Sequence, residues 1–138
     1  MLSYRDGQLY LEGKSVKSLA EEPGTPFFLI NEARLRSNYN ALVRGLSSAG
    51  VAARVRYCAK TNNEPGVLAI MASLGSQVVV SHPVEAQLAV HCGFVPEKIA
   101  YQRPLLLEDE VRAVVGAGVS LVHVYRLEDL PVIEKAAS

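Results

Sequence analysis

Residues 54–82 read RVRYCAKTNNEPGVLAIMASLGSQVVVSH, and this stretch decides the fold. An apolar run ends in the polar turn Lys60-Thr61-Asn62-Asn63, Pro65 opens a helical pattern, Gly75 closes it, and a second apolar run follows at once. The cassette recurs down the chain. Strand-like runs at 54–59, 77–80, 99–101 and 121–124 begin 23, 22 and 22 residues apart, a spacing that holds one strand and one short crossover helix. Repeated units of that size predict a parallel sheet, because parallel neighbours need a crossover between them. The three inner helices are expected to stop near Gly75, Gly93 and Gly118, each glycine supplying the left-handed cap residue. The runs are Val-, Ile-, Leu- and Ala-rich rather than strictly alternating, as in a sheet covered on its faces. A doubly wound sheet and a (β/α) barrel both fit. A complete barrel takes eight units and typically about 250 residues, so the four units here predict an α/β parallel barrel of the TIM type of which about half is present.

Upstream, Phe27-Phe28-Leu29-Ile30 reads as a short strand. Asn31 then stands as a helix N-cap, and Leu35, Tyr39, Leu42, Val43 and Leu46 share one helical face over about 31–48. The first dozen residues predict a hairpin or extended arm turning at Asp6-Gly7. No stretch has the composition of a linker, so the chain is read as one core-bearing unit of 138 residues, 49% apolar and 20% charged. Its 14 basic and 14 acidic side chains balance, leaving no field to hold a phosphate backbone, and nucleic-acid binding is disfavoured. No apolar run approaches the roughly 20 residues that cross a bilayer, and the charged start is unlike a signal peptide. The expectation is a cytoplasmic protein that engages no membrane. Cys58 and Cys92 are too few for a disulfide framework and lie in no metal-ligand spacing, so they are read as small buried apolar residues and no metal is expected.

Ligands of parallel α/β folds meet the carboxyl ends of the strands. Those ends carry Lys60-Thr61-Asn62-Asn63, Ser81-His82-Pro83-Val84-Glu85, Gln102-Arg103 and Tyr125-Arg126. A lysine there, withdrawn from water, loses part of its preference for charge and becomes a nucleophilic amine of the kind that condenses with aldehydes. A solvated, snorkelling lysine is the plainer reading of the same residue. Arg103 and Arg126 read either as anion contacts or as solvated surface charges. His82 reads as a pocket residue, His91 as a surface residue and His123 as a satisfied core histidine. Glu108-Asp109-Glu110 opens a helix, where the dipole alone accounts for negative charge. Period two places Arg54, Arg56 and Cys58 on the face of Lys60, and two arginines inside a closed barrel would need partners.

Residues 24–42 (GTPFFLINEARLRSNYNAL), 55–75, 78–94 and 97–130 resemble, in order and spacing, the N-terminal half of the fold-type III pyridoxal phosphate (PLP) enzymes. Within them the chain is most similar to the diaminopimelate and ornithine decarboxylase branch of the alanine-racemase-like barrels. The most specific match is Tyr57-Cys58-Ala59-Lys60-Thr61-Asn62, against the family's Y-x-A-K-x-N. The resemblance implies that Lys60 is the catalytic lysine that forms a Schiff base with PLP, and that Asn62, Ser81, His82 and Glu85 join it in cofactor binding. It implies two parts: residues 1–23, an arm related to the family's β-rich second domain, and 24–138, the N-terminal half of the PLP-binding barrel. Three positions depart from the pattern. His82 stands where the family has serine, valines 78–80 where an acid precedes that turn, and Leu106 where a lysine is common. The ring-stacking residue, the glycine-rich phosphate loop and the acid facing the pyridine nitrogen belong to chain beyond residue 138, so the chain alone is expected to be a poor catalyst. The implied partners are a small amino-acid substrate and either a second copy, as a homodimer, or the missing C-terminal half. A racemase or non-catalytic PLP carrier of the same fold, and an excised half-barrel acting as an assembly module, are the alternatives.

Overall fold

The structure, a computed structural model, describes residues 2–137. They divide into two compact units, with the break between Asn31 and Glu32.

In the first unit β1 (Leu2–Arg5), β2 (Gln8–Leu11) and β3 (Lys14–Ser15) form an antiparallel meander, followed by the single-turn helix α1 (Val16–Leu19). The Asp6-Gly7 turn is as expected: Arg5 faces Gln8, and both turn residues have positive φ, 48° and 72°. A second such turn at Glu12-Gly13, with φ of 48° and 81°, was not foreseen. Both are two-residue turns whose twist matches that of the flanking strands. The strand expected at residues 27–30 is absent. These residues join no ladder, and Phe28 is 100% exposed. Apolar character alone does not make a strand, because the backbone groups need a neighbour with which to exchange hydrogen bonds.

The second unit begins with α2 (Glu32–Ser48) and continues as β4 (Arg56–Cys58), α3 (Pro65–Ser73), β5 (Gln77–Val80), α4 (Pro83–His91), β6 (Ile99–Gln102), α5 (Glu108–Gly116), β7 (Leu121–His123) and α6 (Leu130–Ala137). The four strands pair in parallel in chain order, β4-β5-β6-β7. A doubly wound sheet reverses its strand order to place helices on both faces. This sheet never reverses, and each helix from α3 to α6 packs beside the next. The topology is that of consecutive barrel units.

Pairing in register gives each face of the sheet its own character. Val78, Val80, Ile99 and Tyr101 are fully or almost fully buried and form the core with Val67, Leu68 and Met71 of α3, Ala86 and Ala89 of α4, and Val111 and Val114 of α5. The opposite face carries Arg56, Cys58, Gln77, Val79, Ala100, Gln102, Leu121 and His123, of which Ala100 alone is fully buried. His123 is therefore a half-buried strand-end residue rather than a core histidine. Cys58 and Cys92 are half-buried free thiols, and only Cys92 packs against the core. Of the apolar face expected on α2, Leu35 and Tyr39 reach the core while Leu42 and Val43 are exposed.

The inner helices stop where their glycines require. Gly75, Gly93 and Gly118 have φ of 79°, 100° and 86°. The next residue in each case bonds back five positions, as in Phe94 N–H to Ala89 O at 3.0 Å and Val119 N–H to Val114 O at 3.1 Å. This reversal drops the chain directly into the following strand. No helix among the described residues is long and apolar enough to cross a membrane.

Candidate functional site

β4 is shorter than its apolar run. The strand ends at Cys58, and residues 59–61 coil into a 3-10 turn, Ala59–Thr61. Lys60 thus sits in a turn at the carboxyl end of the first parallel strand, and strand alternation fixes side-chain direction only as far as Cys58. Its two flanks are held. Ala59 is fully buried, and the Tyr57 hydroxyl donates to the Asn62 carbonyl at 2.9 Å, bridging the whole turn. Asn62 then accepts from the Glu64 N–H at 3.0 Å through Oδ1, just before α3 opens with Pro65. Burial, with the neighbouring Cys58 thiol adding to it, raises the Tyr57 phenol above its ordinary range and keeps the hydroxyl a donor.

Lys60 itself is exposed. The withdrawal from water expected of its amine is not seen, and the helices of the second unit pack their core on one face of the sheet.

Ser81, His82 and Glu85 follow β5 and cap α4. Glu85 accepts from the Ser81 N–H at 2.7 Å, and His82 Nδ1 accepts from the Val84 N–H at 3.2 Å. His82 therefore performs the N-cap task that a serine oxygen performs elsewhere, and with Nδ1 accepting, its proton lies on Nε2. That nitrogen is 3.9 Å from Glu110.

Glu110 is the residue that charge patterning undervalued. Expected to serve only the helix dipole, its side chain is 14% exposed and pairs with Arg103. It also accepts from the Tyr101 hydroxyl at 2.8 Å. Arg126 is likewise paired, its guanidinium 2.5 Å from the buried carboxylate of Asp129. Neither arginine is the open anion contact that the sequence allowed, since each faces an acid of its own chain, while Arg126 is still exposed to solvent as the plainer reading had it. His91 ends α4 and is exposed, as expected. Among the described residues no group of His, Cys, Asp and Glu is placed to hold a metal ion.

At the carboxyl end of the parallel sheet the chain thus carries a lysine on a clamped turn and, after the neighbouring strand, the His82-capped N-terminus of α4. The profile described as "Pyridoxal-dependent decarboxylase, pyridoxal binding domain" matches residues 33–138. The diaminopimelate decarboxylase of Methanothermobacter thermautotrophicus is 33% identical over 115 residues, which is 83% of this chain and 27% of that protein. The crystal structure of AQ1208 from Aquifex aeolicus superposes with a TM-score of 0.88 at 27% identity, over 98% of this chain and 33% of that one. The structure titled SrLDC in complex with PLP and cadaverine gives 0.80 at 26% identity, over 94% of this chain and 33% of that one. This chain spans about a third of the length of the relatives it matches. By the extent of the profile match, the chain belongs to the pyridoxal-dependent decarboxylase family and carries the region described as its pyridoxal binding domain.

Proposed function

We propose that the chain is the N-terminal, cofactor-holding portion of a PLP-dependent amino-acid decarboxylase of the diaminopimelate/ornithine type, and that Lys60 is the amine that takes the aldehyde of PLP. One observation carries the reading: the lysine stands on a turn held at both flanks, at the carboxyl end of a parallel sheet, where this architecture presents its chemistry. The fit is specific to the aldehyde. Lys60 is accessible, with the Ser81-His82 corner following the neighbouring strand, whereas Asn62 and Glu85 commit side-chain oxygens to backbone N–H groups and act on the cofactor by holding the loops. Arg103 and Arg126 are poor phosphate partners, because a phosphate would have to displace the carboxylates of Glu110 and Asp129. The phosphate contacts are assigned instead to the two thirds of the relatives that lie outside the match.

When bound, PLP supplies an electron-withdrawing ring that takes up the electron pair left as carbon dioxide departs. The part of this chain is to present the Lys60 nitrogen at a fixed place, from which a substrate amine would displace it and to which it would return as the product amine leaves. The substrate is an amino acid, and the open face and edges of the sheet support pairing with the remainder of the barrel. A cytoplasmic setting accords with two cysteines that stay free.

The test is chemical. The chain is mixed with PLP, reduced with borohydride and digested, and the label is mapped by mass spectrometry. Label concentrated on Lys60 over the exposed Lys17 and Lys98 supports the reading. Label spread evenly over the lysines overturns it.

A further inference from the structure

Tyr57 belongs to the most specific motif in the chain, yet the proposed chemistry gives it no task. Its side chain lies half-buried against the helix-side core, on the face of β4 away from Arg56 and Cys58. From that anchored position its hydroxyl reaches over the 3-10 turn to the Asn62 carbonyl at 2.9 Å. The bond closes a loop of five peptide units with Lys60 inside it. Ala59, fully buried, fixes the entry to the turn. Asn62 fixes the exit, because its Oδ1 holds the Glu64 N–H and so joins the turn to the start of α3.

The consequence is mechanical. A 3-10 turn has poorer hydrogen-bond geometry than an α-helix and tends to be short-lived when isolated. Lys60 is exposed, so packing of its own side chain contributes little to where its backbone sits. What holds the Cα–Cβ direction of Lys60 is the loop on either side of it. We propose that Tyr57 is a positioning residue, whose hydroxyl locks the turn in the single geometry that aims the Lys60 amine toward the space at the carboxyl ends of β4 and β5. This inference rests on the reading of Lys60 as the PLP-holding lysine and adds the element that makes that lysine selective. An ordinary exposed lysine samples many directions, whereas a lysine on a locked turn samples few.

The experiment compares the full chain with its Tyr57→Phe variant, which keeps the ring in the core and removes only the hydroxyl. Both are reacted with PLP and trapped with borohydride, and the label on Lys60 is expressed as a ratio to that on Lys98 of the same molecules. Lys98 is exposed at the amino end of β6 and serves as an internal standard. Loss of one bond of ordinary net strength is expected to lower the ratio about fivefold. The second readout is ellipticity in the absorption band of the attached pyridoxyl group. An achiral ring gains ellipticity only when held in one asymmetric orientation, so it is expected to fall in the variant at equal Lys60 labelling. Thermal melting of both proteins identifies a variant that is simply unfolded; Tyr57→Leu, which keeps apolar bulk against the core and carries no donor, is then substituted for it and compared in the same way. A wild-type chain without preference for Lys60 removes the parent reading and this inference with it. A wild-type preference that persists unchanged in the variant, with undiminished ellipticity, overturns the role of Tyr57 alone.

Discussion

Tyr101 shows how much a single side chain reports about its surroundings. It is fully buried between the sheet and the helix layer, and its hydroxyl donates to Glu110. Burial first, and the hydrogen bond to Glu110 second, push the phenol from 10.0 up to about 12. The sign of the linkage follows. Between pH 10 and about 12 the unfolded chain releases this proton and the folded chain keeps it, so the folded state binds more protons and its stability falls as pH rises. Tyr101→Phe lacks the proton and is expected to lose stability less steeply across that window, by up to roughly 1.4 kcal/mol per pH unit. Thermal melts of both proteins over the alkaline range check this, and parallel curves would clear Tyr101 of the effect. The same cluster marks a limit of sequence reading. Glu108, Asp109 and Glu110 are equivalent as written, and only the turn of α5 decides that Glu110 faces Arg103 and Tyr101 while Glu108 pairs with Arg112 at the surface.

Among the elements, what could be read in advance was what repeats. The βα spacing and the glycines at 75, 93 and 118 placed every parallel strand and every inner helix end, because both signals are local and cumulative. What could not be read was what depends on a neighbour. Residues 27–30 have strand composition and no partner, the Glu12-Gly13 turn lacks the Asn or Asp that usually marks such turns, and β4 stops at Cys58 because the chain coils there into the Lys60 turn. For the site, the position of Lys60 at a strand end was legible. Its exposure agrees with the plainer, solvated reading of that lysine and not with the withdrawal from water that the chemistry asks for. The glycine caps yield a graded expectation. At Gly75 an added methyl meets open space, whereas at Gly118 it would lie 3.1 Å from the Pro96 Cβ, a tight contact that Pro96 must relieve by giving a few tenths of an ångström. Gly75→Ala is expected to cost about 1 kcal/mol for the left-handed backbone alone, and Gly118→Ala to cost more because that contact is added. Denaturant midpoints of the two variants measure the difference.

At the scale of the whole second unit, the sheet has one finished face and one unfinished face. On the unfinished face Arg56 and Gln77 lie opposite each other in register, and Arg56 Nε and Gln77 Oε1 are both buried without a hydrogen-bond partner. Neither Asp nor Glu occurs in any of the four parallel strands. A second copy of the chain set across this face would bring another Arg56 and no carboxylate from these four strands to meet it. Within the isolated chain the same residue carries a desolvation cost without full compensation. Arg56→Met, which keeps much of the length and removes the charge, is therefore expected to leave stability within about 0.5 kcal/mol of the parent or to raise it. Equilibrium denaturation decides, and a loss of 2 kcal/mol or more would mean that the guanidinium has a partner after all.

The unbroken strand order carries one more consequence. After β4, each strand of the second unit finds one partner in the unit just before it. A ribosome extruding this chain would thus offer β5, β6 and β7 in turn a template already laid down, so that assembly can advance in step with synthesis.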